Sequence, residues 1–443
     1  MAVDRLFFLI PTLMLASAVM WGSGIAWAQD RDLYTLERSI AEAMENNPDL
    51  RATMETKYQA EMAKKQAGAE FLPKASTTYG YTRFNEAPQF RSDLLPGIEI
   101  NVGTVDNYQW KGTVTQPLFT GFALTSAYEL AKLGVDQAEL NIARAKLDLV
   151  LSVKEAYFNV LIADKAVLVA EQAVQSLESN RNVADNFYKV GIIPVNDLLK
   201  AEVELANARQ KLVGARNSAV LARAAFNNVL GRPVALPVQV QDILAYSPEE
   251  GDFEAYVSKA LKNRPEMKLL ETNILQVEQQ KRIAASDYYP DVVLSYDYIK
   301  EGDSPGVSGS PYHEANSWQI TAGLTWTFWE WGKTRYAVHE KESQQRELMH
   351  TRQSLEEGIG LEVKNAMLEM STAAENIPTT EKALDQAEEN LRVNEERYKA
   401  EVTTITEVLD AQTLLTEARV NHYRALSNHN LAQARLQRAM GIE

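Results

Sequence analysis

The strongest constraint in this sequence is a run of some seventy residues, 121 to 190, that contains almost no helix breaker and is dense in Ala, Leu, Glu, Lys and Gln. It reads as one very long helix, or two stacked end to end, on the order of 100 Å in length at ~1.5 Å per residue. A second run of the same kind spans residues 332 to 400. A compact domain has no use for helices of that length, so the chain must build something tall.

The start of the chain points to export. Arg5 precedes an apolar core over residues 6 to 19, and small residues end at Ala26-Trp27-Ala28, an A-x-A cleavage site. Residues 1–28 therefore read as a signal peptide, with the mature chain starting at Gln29. Pro11 and a core of 14 residues argue against a membrane anchor, which needs about 20 apolar residues. The chain has no cysteine, which excludes thiol chemistry, disulfides and a lipid anchor on an N-terminal Cys, and which suits an exported protein. A formal charge of -15 disfavours nucleic acid as a partner. After the signal no apolar run is long enough for a spanning helix, so a membrane can be entered only by strands.

Taken in order, residues 33 to 72 are helical in pattern, with Pro48 near an early break and Pro73 as the stop. Residues 75–84 and 107–119 change to a period of two around a polar loop, which is the pattern of a strand hairpin with a long tip. The long helix follows, turns at residues 188–194, and returns as a helix over 196–230. Residues 234–248 read as an irregular connector. The scheme then starts again: Asn47-Pro48 matches Arg264-Pro265 at a shift of 217, Trp110 matches Trp318 at 208, and Tyr188-Lys189 matches Tyr398-Lys399 at 210. Landmarks recurring in one order imply an internal duplication, with repeat 1 at 29–240 and repeat 2 at 241–443.

The last strand of the second hairpin, read as residues 316–329, is the most informative. Trp318, Ile320, Ala322, Leu324, Trp326 and Phe328 share one face, while Gln319, Thr321, Gly323, Thr325 and Thr327 share the other. One side suits hydrocarbon and the other water. Trp318 and Trp326 lie about 26 Å apart along a strand at ~3.3 Å per residue, a separation that suits two aromatic girdles at the edges of a bilayer; Trp110 and Phe328 join them as girdle residues. Four strands cannot close a barrel, so copies must share one: two copies would give eight strands and a filled interior, three would give twelve and a wider lumen.

No P-loop, dinucleotide fingerprint, nucleophile elbow or clustered histidines occur, so neither an enzyme, a cofactor nor a metal site is expected. The competing class is a soluble periplasmic coiled-coil scaffold or adaptor, which the aromatic, alternating strands disfavour.

The signal peptide, the duplicated scheme, the turn Tyr188-x-Val190-Gly191 with Asn196-Asp197-Leu198-Leu199, and its counterpart Tyr398 with residues 404–411 together resemble the TolC-like outer membrane efflux proteins. The resemblance covers nearly the whole mature chain. It implies a mainly α protein with membrane β: a homotrimeric 12-stranded outer-membrane β-barrel continuous with a long periplasmic α-helical barrel. It also implies the exit duct of a tripartite efflux pump or type I secretion system, with a periplasmic adaptor, an inner-membrane transporter and outer-membrane lipids as partners. Carried over by residue, Glu407 and Asp410 line the aperture, Asn196 and Asp197 help to hold it shut, and Val190, Gly191, Ile192, Glu401, Val402 and Thr403 form the adaptor-docking tip. Glu401 stands where the family's tip glycine would recur, and Thr403 where an Arg is sometimes found.

Overall fold

Each of the two runs forms a single helix, the second continuing through Pro378, and the two helices are equal in length. The computed structural model describes residues 33–91, 99–248 and 251–442; the expected signal peptide and its cleavage site lie outside the described residues. The first half comprises β1 (Leu33–Tyr34), α1 (Leu36–Asn46), α2 (Pro48–Ala69), β2 (Lys74–Arg83), β3 (Gln89–Arg91), β4 (Glu99–Asn101), β5 (Asp106–Thr120), α3 (Ala123–Lys189) and α4 (Val195–Val229). The second comprises β6 (Gln239–Val240), α5 (Phe253–Asn263), α6 (Pro265–Ala285), β7 (Asp291–Gly302), β8 (Asn316–Thr325), α7 (Lys333–Lys399) and α8 (Ile405–Ala439).

The long elements of the two halves correspond in length and order. Helices α3 and α7 have 67 residues each, about 100 Å at ~1.5 Å per residue, and α4 and α8 have 35 each, all related by a shift of 210. Ahead of the hairpin loop the shift is 217, as for Pro48 and Pro265 at the first positions of α2 and α6. The strand ladders agree: Tyr81 faces Tyr108 in the first hairpin, and Tyr298 faces Trp318 in the second. The counterpart of Trp318 is therefore Tyr108, and Trp110 corresponds to Ile320. Matching the two tryptophans at 208 misses by two residues, an error that alternation could not reveal because an even slip keeps the same face.

Strands pair in the order β2-β5-β7-β8, every neighbour antiparallel. Directly opposed residues share a face, so the ladders sort the sheet into two chemistries. One face carries Tyr79, Tyr81, Tyr108, Trp110, Val114, Leu294, Tyr296, Tyr298, Trp318, Ile320 and Leu324; the other carries Ser76, Thr78, Gln109, Lys111, Thr113, Ser295, Asp297, Gln319 and Thr321. On the polar face Asp297 accepts from Thr113 Oγ1 at 2.7 Å and Gln319 Nε2 at 2.9 Å and pairs with Lys111 Nζ at 3.1 Å, joining three strands.

Three features depart from the sequence expectation. Strand β8 stops at Thr325 rather than reaching 329, because its neighbour β7 begins at Asp291, which pairs with Thr325, so residues 326–329 have no strand to receive them. The connector over 234–248 is not wholly irregular, since β6 pairs in parallel with β1. The loop of the first hairpin holds a small ladder of its own, β3 with β4.

Beside the sheet, α2, α3, α6 and α7 lie abreast; toward the far end α4, α3, α8 and α7 do. Each level is thus four helices wide, joined by the two helices that run the whole height. Their buried positions explain the packing: on α7, Ile359, Val363, Ala366, Met370, Ala373 and Ile377 recur at alternating steps of four and three, the 3.5-residue period of a left-handed coiled coil. Midway along α3, the fully buried Tyr157 places its hydroxyl 2.7 Å from Gln241 O and 3.0 Å from Tyr34 O, clasping the β1–β6 ladder to the helix, and burial pushes this phenol up to about 12. No described helix is long and apolar enough to cross a membrane.

Candidate channel aperture and docking tip

At the end remote from the sheet, α3 turns into α4 and α7 into α8 with the same backbone. Ile192 N–H donates to Phe187 O at 2.8 Å and Gly191 N–H to Tyr188 O at 3.0 Å; Val402 N–H donates to Arg397 O at 2.9 Å and Glu401 N–H to Tyr398 O at 3.0 Å. These are Schellman closures, which require a left-handed residue. Gly191 supplies it at φ 79°, and Glu401 supplies it at φ 59°. The second tip therefore departs from the first in residue type but not in conformation, at a strain of about 1–2 kcal/mol for the side chain. Val190, Ile192 and Val402 are exposed beside these turns, and Thr403 is half-buried.

Beneath the tip lies an apolar cluster of Leu177, Ala184, Leu198, Leu391, Ile405, Val408 and Leu409, which fixes the starts of α4 and α8. With the shift of 210, Asn196, Asp197 and Lys200 of α4 correspond to Thr406, Glu407 and Asp410 of α8. Asp197 and Glu407 are each the third residue of their helix, where a carboxylate also favours the exposed N–H groups and the positive end of the dipole. Asp410 has no such local role. It lines a groove between α4 and α8 with Asn196, Lys200 and Thr406. Within that groove Lys200 Nζ is 3.3 Å from Asp197 Oδ1 and 3.3 Å from Thr406 Oγ1, so one cation spans both helix starts. The groove thus gathers Asn196 and Asp410, and Lys200, which lines it too, holds Asp197 beside it. Glu407 is exposed on the same helix start but does not line the groove.

Sequence reasoning missed Lys200, whose signal was available in its correspondence with Asp410 once the repeat is aligned. In the sequence Tyr398 serves as a landmark of the repeat and of the turn that carries the resemblance. In the structure it is buried against Phe187, with ring centroids 5.5 Å apart, and its hydroxyl has no hydrogen-bond partner among the described residues. Burial first, and then the charge of Asp197, raises its pKa. Its counterpart Tyr188 is exposed, so the two tips differ in packing despite equal backbones.

The expected girdle residues fall at both ends of the sheet. Trp110 meets Tyr298 edge to face at 6.2 Å and Trp318 lies 6.4 Å from Tyr296, at the end that carries the hairpin loops. Trp326 donates through Nε1 to Tyr288 O at 3.3 Å and lies 6.1 Å from Phe328, at the helical end. Among the described residues no cluster of His, Asp and Glu could hold a metal ion.

A two-faced antiparallel sheet with open edges, set on helices about 100 Å long, defines the class of barrel-forming outer-membrane channels with a long helical extension. The model of the family described as outer membrane efflux protein matches residues 39–232 and 256–442, one stretch per repeat; the chain belongs to that family. Among solved structures it is similar to the CusC channel, at 17% identity over 92% of each chain with a TM-score of 0.78. It is also similar to the CmeC outer membrane channel of Campylobacter jejuni, at 16% identity over 92% of this chain and 85% of that one with a TM-score of 0.78. VceC of Vibrio cholerae matches at 19% identity over 92% and 96% with a TM-score of 0.76. No curated protein sequence matches the chain. The protein is an outer-membrane efflux channel with a long periplasmic helical part, and its family is one of channels rather than enzymes.

Proposed function

We propose that three copies of this chain form one continuous duct, a 12-stranded barrel above a tunnel of twelve helices, closed at its periplasmic end by the tip residues. The observation that carries this reading is the count of four strands and four helices abreast in one chain, with both sheet edges, β2 and β8, exposed along their whole length. Two copies would leave an interior that side chains fill, whereas twelve strands leave a lumen. The duct serves a tripartite efflux pump or type I secretion system. The exposed Val190, Ile192 and Val402 give a periplasmic adaptor an apolar surface to dock on, and the adaptor couples the duct to an inner-membrane transporter.

In this assembly the aperture is a ring in which the two repeats alternate. The joint that brings Lys200 to Thr406 inside one chain recurs between chains with Asp410 against Asn196 of the next copy, because 410 and 196 are the counterparts of 200 and 406. Two tiers of charge result. Asp197 and Glu407 are acidic in both repeats, whereas Lys200 and Asp410 alternate in sign. The mass of the intact complex in detergent tests the assembly: three chains per particle are expected, and a single chain that stays soluble without detergent overturns it and favours a periplasmic scaffold.

A further inference from the structure

The repeat correspondence also fixes how two copies join. We infer that β8 of one copy pairs with β2 of the next in a single register, in which Thr325 faces Thr78, and that this contact lengthens β8 through Trp329. The inference rests on the three-chain reading above and adds the register, which that reading leaves open.

The correspondence can be checked inside one chain first. Adding 217 to β2 and 210 to β5 turns the pair Lys74 and Thr115 into Asp291 and Thr325, and the pair Tyr81 and Tyr108 into Tyr298 and Trp318, both of which are observed. The ladder between the repeats, β5 with β7, has no second instance within the chain. Its counterpart would join β8 to a β2 strand, and those are the two open edges.

Applying the same shifts to β5 with β7 gives the missing ladder. The pair Thr115 and Ser295 becomes Thr325 and Thr78, Val114 and Tyr296 becomes Leu324 and Tyr79, and Thr113 and Asp297 becomes Gly323 and Gly80. The faces agree without adjustment. Leu324 and Tyr79 both belong to the aromatic face, and Thr325 and Thr78 to the polar face, whereas a slip of one residue would oppose the two chemistries.

Beyond Thr325 the same ladder continues. Pro117 and Val293 map to Thr327 and Ser76, and Phe119 and Val292 map to Trp329 and Ala75. The irregularity between Pro117 and Phe119 leaves Leu118 exposed in β5, and its counterpart is Phe328, likewise exposed. Residues 326–329 lack a partner within the chain only because β7 ends, and a neighbouring β2 supplies one. The strand to 329 that the alternation predicts is then a property of the assembly. The final mapped pair, Thr120 with Asp291, becomes Glu330 with Lys74, which are opposite in charge.

The chain has no cysteine, so the register can be read with introduced pairs. Directly opposed residues have Cβ atoms about 4.5–5.5 Å apart and diagonal ones about 7–8 Å, and a disulfide needs about 3.5–4.5 Å. Thr325→Cys is combined in one chain with Ser76→Cys, Thr78→Cys or Gly80→Cys, and the detergent-solubilised complexes are treated with a mild oxidant. The expected result is a shift from one-chain to two- and three-chain bands on a non-reducing gel, greatest for Thr78→Cys and reversed by reductant. Three-chain particles that crosslink best through Ser76→Cys or Gly80→Cys overturn the register and leave the trimer standing. Particles of one chain by intact mass, with no crosslink in any pair, overturn both.

Discussion

Replacing Glu266 by Ala is expected to destabilise the helical body by about 3 kcal/mol, because it takes the shared carboxylate away from the buried Arg264 and the half-buried Arg438. Glu266 opens α6 beside Arg264, which donates to it from Nη2 at 3.1 Å and Nε at 3.3 Å, and Arg438 near the end of α8 donates to it at 2.7 Å. The two arginines also reach Glu362 of α7 at 2.6 Å and Asp148 of α3 at 2.7 Å. One carboxylate therefore ties α6 and α8 together, and its network reaches both long helices. Burial opposes its ionisation, but the hydrogen bonds from Arg264 and Arg438 outweigh that and hold it at about 2, below the ordinary 4.5. A lowered carboxylate contributes stability that is fully present above about pH 4.5 and is lost as pH falls toward about 2, here about 3 kcal/mol. Thermal melting followed by far-UV circular dichroism should show a large gap between wild type and the variant near neutral pH, and a gap that narrows between about pH 4.5 and pH 2. A gap independent of pH would assign the loss to packing alone.

The second large effect concerns selectivity. In the proposed three-chain duct, Asp197 and Glu407 would supply six carboxylates around the opening, while Asp410 and Lys200 would alternate in sign one turn further along. A narrow acidic ring concentrates cations and is plugged by multivalent ones. Replacing Glu407 and Asp410 with Ala is expected to lower the cation-to-anion permeability ratio on the order of tenfold and to abolish block by multivalent cations added from the periplasmic side. Replacing Lys200 with Ala should move the ratio the opposite way, since it unmasks Asp197. Single-channel recording in a planar bilayer decides between outcomes. An unchanged ratio and unchanged block in the double variant would leave Glu407 as a helix-start carboxylate and Asp410 as a solvated one.

Much of this architecture was legible because its signals are periodic. Residues 121 to 190 carry almost no breaker, and Ala123–Lys189 within them form a single 67-residue helix, and Pro48 and Pro265 mark helix starts that proline favours. Strand faces were legible from alternation, but strand ends were not. Alternation persists to Phe328, whereas a backbone hydrogen-bond ladder needs a neighbour, and β7 offers none past Thr325. The same limit hid the two-residue slip between Trp110 and Trp318. Lys200 escaped notice because a lysine on a helix start has no signature of its own. Only its correspondence with Asp410, and its reach to Thr406 at 3.3 Å, gives it meaning. Glu401 could not be recognised as left-handed from its residue type, because the turn geometry imposes φ 59° on a residue that does not favour it.

In the proposed duct the hairpin loops and the helical tips lie on opposite sides of the outer membrane. Ser308, in the loop after β7, and Asn196, at the start of α4, mark the two ends, and a chain without cysteine lets each carry the only thiol. Cells expressing Ser308→Cys or Asn196→Cys are treated with an impermeant thiol reagent, and then again after the outer membrane is opened. Labelling at position 308 on intact cells, with labelling at 196 only after opening, is the predicted result. The reverse pattern, or equal labelling of both sites on intact cells, would contradict it.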